Sequence, residues 1–236
     1  MYKFKNKLSI IIPVYNEKNT IEKLLNKIHK IRHIKKEIIV VDDASYDGST
    51  NILKKNRKKI TKLIYHKKNL GKGAAIRSAQ KFIKGDVVII QDADLEYNPM
   101  DYQKLLYFID KKGYKVVYGS RVLGRNRYLQ KNFSSVTRIF FNHILTILSN
   151  LLNNQRLTDA HTCYKMFTSQ IFLKIKLKEK DFSFCPEITT KIGIEKIKIK
   201  EVSINYNGRD YDEGKKIRLI DGIKAIITLF KYRFFQ

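Results

Sequence analysis

The sequence predicts an α/β fold: a Rossmann-like, doubly wound and mostly parallel sheet with helices on both faces. Three observations carry that prediction. Short apolar runs at 8–14, 37–41, 62–66, 87–91 and 115–118 have the length and near-continuous hydrophobicity of strands buried on both faces. Stretches with helical spacing lie between them, as in Ile21, Leu24, Leu25, Ile28 and Ile31, so strand and helix alternate. Each strand then runs into a polar cluster, which puts the candidate chemistry along one sheet edge, outside the carboxyl ends of the strands.

The first strand, 8–14, has Pro13 near its end, which stops the ladder just before Tyr15, Asn16 and Glu17. The strand 37–41 leads into Asp42, Asp43, Ala44, Ser45, Tyr46, Asp47 and Gly48. Carboxylates at a strand mouth accept from sugar hydroxyls and base N–H groups. The purely structural alternative is that Asp47 or Ser49 caps a helix over 50–58. After the strand 62–66 comes Asn69 to Ala75 and a helix through about Lys84. Gly71 and Gly73 permit close backbone approach, and Lys72 at a helix start is placed to meet a phosphate. The stretch matches neither the P-loop nor the full GxGxxG pattern, so structural glycines account for it equally well.

The fourth strand, 87–91, opens on Asp92, Asp94 and Glu96. Three carboxylates crowded at one strand mouth repel one another unless a cation is present, and a divalent metal is the simplest remedy. A helix started near Pro99 carries Leu105, Leu106 and Ile109, and the strand 115–118 ends in Gly119, Ser120 and Arg121.

Beyond Arg121 the pattern changes. An irregular basic loop, 122–131, holds Arg125, Arg127 and Lys131. The helix predicted over 134–153 is apolar on more than one stripe, with a polar face of Arg138, Asn142, His143, Thr146, Ser149 and Asn150. An in-plane membrane helix suits this pattern, and so does a core or dimer helix. A polar stretch, 157–163, contains Asp159 and His161 and precedes a strand-like segment. FSFCPEI, 182–188, is predicted to start a helix at Pro186 with Glu187 in its first turn, where a carboxylate suits the helix dipole. A strand over 198–206, a loop with Arg209, Lys215, Lys216 and Arg218, and an amphipathic helix over 219–230 complete the chain. Lys231, Tyr232, Arg233, Phe234 and Phe235 follow, an interleaving of cations and aromatics that anchors at membrane interfaces.

With 236 residues, 43% of them hydrophobic, the chain can build one large domain with a C-terminal extension. Its formal net charge of +26, from 48 Lys and Arg against 22 Asp and Glu, attracts polyanionic surfaces. Some of that excess is Lys scattered among Ile and Asn, a compositional habit. Nucleic acid is not the expected partner, because no RRM, zinc or helix-turn-helix signature is present. Cys163 and Cys185 lack CxxC spacing and read as reduced thiols of a cytosolic protein rather than zinc ligands. There is no signal-peptide h-region with a cleavage site, and no apolar run reaches the roughly 18 residues a membrane span needs.

Eight blocks stand in order: SIIIPVYNE, EIIVVDDASYDGST, NLGKGAAI, DVVIIQDADLEY, VVYGSR, LTDAHTCYK, FSFCPEIT, and EVSINY with a later EGKKI. Through them the chain closely resembles family 2 glycosyltransferases of the GT-A fold, and within these the dolichol-phosphate mannosyl- and glucosyltransferase branch. The resemblance spans nearly the whole chain. It implies a GT-A catalytic domain over 1–216, with an interface helix at 133–153 inside it, and a basic, aromatic amphipathic helix at 217–236. It also implies an inverting, metal-dependent transfer of a hexose, mannose or glucose, from a nucleotide sugar such as GDP-mannose or UDP-glucose to a polyprenyl or dolichyl phosphate.

Residue by residue, the resemblance assigns Pro13, Tyr15, Glu17 and Asp42 to the nucleotide's base and ribose, with Asp43 nearby; Lys72 joins the nucleotide-sugar residues from its own place at a helix start. Asp92 and Asp94 match a DXD pair that reaches Mg²⁺ or Mn²⁺ and the donor diphosphate. Glu96 stands as a further metal ligand where many relatives carry Gln. Arg121, Arg209 and Lys215 match basic positions that close on donor or acceptor phosphate, and His161 occupies a site where Glu is common. Asp159 is the candidate base should the acceptor need one. The alternative acceptor is a soluble or glycan hydroxyl, which would need that base. Related enzymes carry their transmembrane segments after this region, so the expectation is peripheral attachment to the anionic cytosolic face of a membrane, or a membrane-protein partner.

Overall fold

The computed structural model describes residues 4–124, 136–209 and 219–235. Arg125, Arg127, Lys131, Lys215, Lys216 and Arg218, all named above, lie outside the described residues, as does Arg138 beyond its backbone. The elements run β1 (Leu8–Val14), α1 (Ile21–Lys30), β2 (Lys36–Asp42), α2 (Ser49–Lys55), β3 (Lys62–Tyr65), α3 (Lys72–Gln80), β4 (Val87–Ile90) and α4 (Tyr102–Lys112). They continue with β5 (Val116–Ser120), α5 (Val136–Asn153), β6 (Lys165–Thr168), α6 (Ser169–Lys174), α7 (Phe184–Ile194), β7 (Ile199–Ser203) and α8 (Leu219–Phe234).

The described strands form one sheet in the order β3-β2-β1-β4-β6-β5-β7. β1 is the hub: it pairs in parallel with β2 from Leu8↔Lys36 to Val14↔Asp42, and with β4 from Leu8↔Val87 to Ile11↔Ile90. Ile10, Ile11, Ile12 and Val87 to Ile90 are buried, as strands covered on both faces must be. β6 alone runs antiparallel, between β4 and β5, and β7 pairs in parallel with β5. That reversal has a functional result. Because β6 runs backward, its N-terminal end stands at the edge where the parallel strands end, so the 157–164 turn that feeds it joins their polar clusters.

Several predicted boundaries shift for local reasons. A 3-10 turn, Pro99–Asp101, precedes α4, with the Asn98 side chain accepting from the Met100 N–H. α7 starts two residues before Pro186 while keeping Glu187 in its first turn. α2 receives one side-chain bond at its start, the Ser49 N–H donating to Asp47 at 2.9 Å, which is the capping role the sequence allowed. Its N-cap is Gly48 at φ 100°, a left-handed conformation that glycine adopts without steric cost. α8 extends past residue 230 and takes in Tyr232.

Candidate active site

At the mouths of β1, β2 and β4 the chain turns through left-handed, non-glycine residues: Asn16 (φ 52°), Ala44 (φ 60°) and Leu95 (φ 65°). Backbone held this way, and above all at a Leu, is unfavourable and persists only where surrounding contacts fix it. Here the contacts are side chains of the polar clusters. Asp42 is buried and accepts from the Ser45 N–H at 3.0 Å and from the Thr50 hydroxyl. The Glu17 N–H donates to Ser49 Oγ at 2.7 Å, and the Glu17 carboxylate accepts from the Thr20 hydroxyl at 2.8 Å. Asp47 accepts from the Lys18 and Ser49 N–H groups, so it ties the first two mouths together. Tyr15 stands edge-on to the exposed Tyr46 ring, 6.1 Å between centroids, beside this pair of mouths.

Asp43 is committed elsewhere. It accepts from the Leu70 and Gly71 N–H groups at 2.9 and 2.8 Å, and one of its oxygens lies 2.6 Å from His66 Nδ1. The residue therefore clamps the glycine loop to β2, and is a second-line contributor to any nucleotide pocket. The loop's glycines are needed for contact with the chain itself. A Cβ on Gly71 would lie 2.5 Å from the Lys180 carbonyl oxygen, and one on Gly73 2.4 Å from that of Glu179. Lys72 then points inward, pairing with Asp92, 3.1 Å from Cys163 Sγ, and between the rings of Phe182 and Phe184. Burial opposes its charge, but Asp92 outweighs that and the Lys72 pKa rises. Both cysteines are free and buried.

Beyond β4, Asp94 accepts from the Glu96 N–H at 3.1 Å and lies 3.3 Å from Arg209 Nη2. Burial first, then the charges of Asp92 and Glu96, push its carboxyl up to about 7 against the pull of Arg209. Glu96 has both oxygens engaged: Tyr206 donates its hydroxyl at 2.6 Å and Arg209 its backbone N–H at 2.9 Å. Arg209 also donates to Glu17 from both terminal nitrogens, at 3.2 and 3.1 Å, so one guanidinium spans the β1 and β4 mouths. Among the described residues no three His, Cys, Asp or Glu side chains form a ready metal cage.

The β5 mouth has the opposite electrostatics. Arg121 grips Asp159 through Nε and Nη2, each at 2.7 Å, and its backbone N–H adds a third bond at 3.1 Å. Burial works against the Asp159 charge, yet the guanidinium wins and holds its carboxyl below the usual range. A carboxylate so held is a weak base, which counts against that role for Asp159. The Arg121 guanidinium also lies 5.2 Å from the Tyr206 ring centre. His161 has its Nε2 buried without a hydrogen-bond partner, and burial followed by the nearby Lys165 charge lowers its pKa to about 3, so the ring is neutral. Lys165 itself is fully buried, donates to the Ala160 carbonyl at 2.8 Å and sits 3.7 Å over Tyr118.

Sequence reasoning missed Glu201, Tyr206 and Lys165. Glu201 of β7 accepts from the Thr158 N–H at 2.7 Å, the Thr158 hydroxyl at 3.0 Å and the Asp159 N–H at 2.9 Å. The available signal was a carboxylate in a strand that follows the polar cluster, but nothing local says what it meets.

The helices flanking the site carry apolar side chains on their outer as well as their inner faces. In α5, Ile139, Leu145, Thr146, Ser149 and Asn153 are buried, whereas Phe140, Phe141, Ile144, Ile147 and Leu151 are exposed, Leu151 to 76%. Asn150 explains part of this, since its side chain bonds both the N–H and the carbonyl of Leu157 at the start of the Asp159 turn. α8 buries Ala225, Thr228, Leu229 and Tyr232 and exposes Ile220, Ile223, Ile227, Phe230 and Phe234. Tyr232 is thus a packing residue, its hydroxyl on Glu179 at 2.7 Å, and not the interface aromatic the sequence suggested. Lys224 and Lys231 pair with Asp181 and Glu179, at 2.9 and 2.8 Å. No described helix is long and apolar enough to cross a membrane.

Residues 9–176 match the profile of glycosyl transferase family 2. An uncharacterised protein of Methanocaldococcus jannaschii is 28% identical over 98% of this chain and 94% of its own length. A dolichyl-phosphate beta-glucosyltransferase of Trichomonas vaginalis is 28% identical over 97% of this chain and 73% of its own. A dolichol-phosphate mannosyltransferase of Pyrococcus furiosus is 36% identical over 49% of this chain and 33% of its own. The crystal structure of glucosyl-3-phosphoglycerate synthase from Mycobacterium tuberculosis with Mg²⁺ and uridine diphosphate superposes with a TM-score of 0.71 at 17% identity, over 97% of this chain and 79% of that one. That likeness establishes a shared fold.

Proposed function

Because this chain belongs to glycosyl transferase family 2 and has the GT-A fold, we propose that it moves a hexose, with inversion, from a nucleotide sugar to a polyprenyl phosphate at a membrane surface. The observation that carries the acceptor assignment is the exposed apolar face of α5 and α8. Exposed Phe140, Phe141, Ile144, Leu151, Ile223, Ile227 and Phe234 belong to helices that buttress the Asp159 turn and the 179–181 segment. Apolar side chains directed outward from such elements suit the headgroup region of a bilayer, and a formal charge of +26 favours its anionic leaflet. Residues 1–216 are then the catalytic unit and 217–236 its interfacial helix. The names of the dolichyl-phosphate relatives point the same way.

Glu17, Asp42 and Tyr15 line the mouths that would hold the nucleoside, with Pro13 next to last in β1. The residues beyond β4 fit a divalent cation. Burial first, and then the charges of Asp92 and Glu96, disfavour the ionised Asp94, and a bound cation would relieve both. Mg²⁺ is usually held by one or two carboxylates plus substrate phosphates, so Asp92 and Asp94 with a donor diphosphate suffice without a protein cage. Glu96, already engaged by Tyr206 and Arg209, would tune the charge. Such a cation would neutralise the charge that develops on the departing diphosphate.

Arg121, oriented by Asp159, would receive the acceptor phosphate, and Arg209 would exchange its carboxylate partners for donor phosphate. Lys215 is assigned to the same task from the family resemblance. A phosphate monoester with a second pKa of about 6 is largely ionised at neutral pH, so positioning replaces general-base catalysis. A hydroxyl acceptor with Asp159 as base is the competing reading, and the depressed Asp159 carboxyl disfavours it. The test is to offer GDP-mannose and UDP-glucose with polyprenyl phosphate and Mg²⁺ or Mn²⁺ and follow lipid-linked hexose. Failure with every donor, together with transfer to a free sugar hydroxyl, would overturn the proposal.

A further inference from the structure

The Arg121–Asp159 pair is braced by Glu201 of β7, which bonds the backbone of the turn that carries Asp159. β7 pairs with β5 so that Glu201 stands opposite Tyr118, two residues before Ser120 and three before Arg121. From there its two oxygens accept three bonds from the turn: the Thr158 N–H at 2.7 Å, the Thr158 hydroxyl at 3.0 Å and the Asp159 N–H at 2.9 Å. The Thr158 hydroxyl lies 2.7 Å from Ser120 Oγ, which closes the circuit back to β5. Lys165 pins the other side of the turn through the Ala160 carbonyl.

We propose that Glu201 is a positioning residue for transfer: by fixing the 158–159 backbone it aims the Asp159 carboxylate, and through it sets the plane of the Arg121 guanidinium that meets the acceptor phosphate. Its function as a positioning residue rests on the reading that Arg121 holds that phosphate. The chemistry requires a carboxylate. Two backbone N–H groups and a hydroxyl converge on it, and a carboxylate accepts on both oxygens, whereas an amide in its place turns one donor group toward those N–H groups. Charge-assisted bonds of this kind are also about twice as strong as neutral ones. Asp159 carries its own three bonds from Arg121, so a shift of the turn is passed directly to the guanidinium.

The test uses the full chain as Glu201→Gln, with Thr158→Val as a milder second variant that removes one of the three donors and leaves the backbone. The KM for polyprenyl phosphate is expected to rise about tenfold in Glu201→Gln and about threefold in Thr158→Val, with the affinity for nucleoside diphosphate unchanged. In Glu201→Gln/Arg121→Lys the rise should equal that of Arg121→Lys alone, because a residue acting through another is not additive with it. Separately, the Nε–H resonance of Arg121 in protein carrying ¹⁵N-arginine should move toward the free-arginine position in Glu201→Gln. An unmoved resonance, additive effects, or equal loss of donor and acceptor affinity would overturn the proposal. The resonance needs no acceptor, so it decides the role of Glu201 even if wild-type protein proves to use a hydroxyl, a result that would count against the acceptor assignment alone.

Discussion

Asp94 and Asp159 stand at neighbouring strand mouths, both buried, and burial alone would raise both acids. They nevertheless shift in opposite directions: Asp94 is pushed up to about 7, and Asp159 is held below the ordinary carboxylate range. The difference lies in their company. Asp94 faces Asp92 and Glu96 with a shared Arg209, whereas Asp159 meets Arg121 in a two-pronged grip. Two similar side chains thus mark different tasks. On the proposed reading the first mouth, crowded with carboxylates, takes a cation with its ligand, and the second presents Arg121, braced by Asp159, to an anion.

The largest expected effect breaks the first half of that contrast. Asp94→Ala should lower metal-dependent turnover by about a thousandfold while circular dichroism shows the fold intact, and unchanged activity would mean that the cluster serves no cation. The second half breaks through stability. Asp159→Ala strands a buried guanidinium, which costs about 3–5 kcal/mol and corresponds to a fall in Tm of about 10 °C for a chain of this size. A thermal melt within a degree or two of wild type would show that Arg121 finds other partners.

The pH dependence of stability sharpens the comparison further, with a smaller effect. Between the ordinary Asp value near 4 and about 7, the folded chain keeps a proton on Asp94 that the unfolded chain releases. Stability of the metal-free protein should therefore fall as pH rises through that window and level off above it. Asp159 works the other way: its contribution is full above the ordinary carboxylate range and is lost as pH drops below it. Melts from pH 4 to 8 should show the decline in wild type and its loss in Asp94→Asn. Added Mn²⁺ should raise Tm more at pH 8 than at pH 5. A slope that survives in Asp94→Asn would assign it to other groups.

These two mouths also differ in how much of them could be read beforehand. The β4 mouth is written in consecutive residues: an apolar run, then Asp92, Asp94 and Glu96, and their crowding follows from spacing alone. The alternating strands that deliver Asp42, Arg121 and their neighbours were legible for the same reason, since hydrophobic periodicity is local. The Arg121 mouth is assembled across the chain. Asp159 arrives because β6 runs backward, and Glu201 lies 42 residues beyond Asp159. Arg209 meets Glu17 across 192 residues. Lys72 shows the limit most clearly: a lysine at a glycine-rich helix start suggests a phosphate ligand, but Gly71 and Gly73 pack on 179–181 and turn it toward Asp92. The burial of Thr146, Ser149 and Asn153 in α5 was equally hidden, because a helix with two faces does not say which one the protein keeps.

Tyr206 joins the two mouths and allows the finest cut between them. Its hydroxyl donates to Glu96 at 2.6 Å, on the cation-seeking side, while its ring lies 5.2 Å from the Arg121 guanidinium on the anion-seeking side. Tyr206→Phe deletes the first contact and keeps the second. Loss of one hydrogen bond to a carboxylate costs about 1.5–3 kcal/mol, and it leaves Glu96 bearing more of its charge on Asp94. The KM for the nucleotide sugar should then rise about fivefold, with the KM for the phosphate acceptor unchanged. Tyr206→Leu removes the ring as well and should raise both constants, since the guanidinium loses its stacking face. If Tyr206→Phe instead weakened acceptor and donor equally, the mouths would have to be treated as a single electrostatic unit, and the division between Asp94 and Asp159 would not extend to binding.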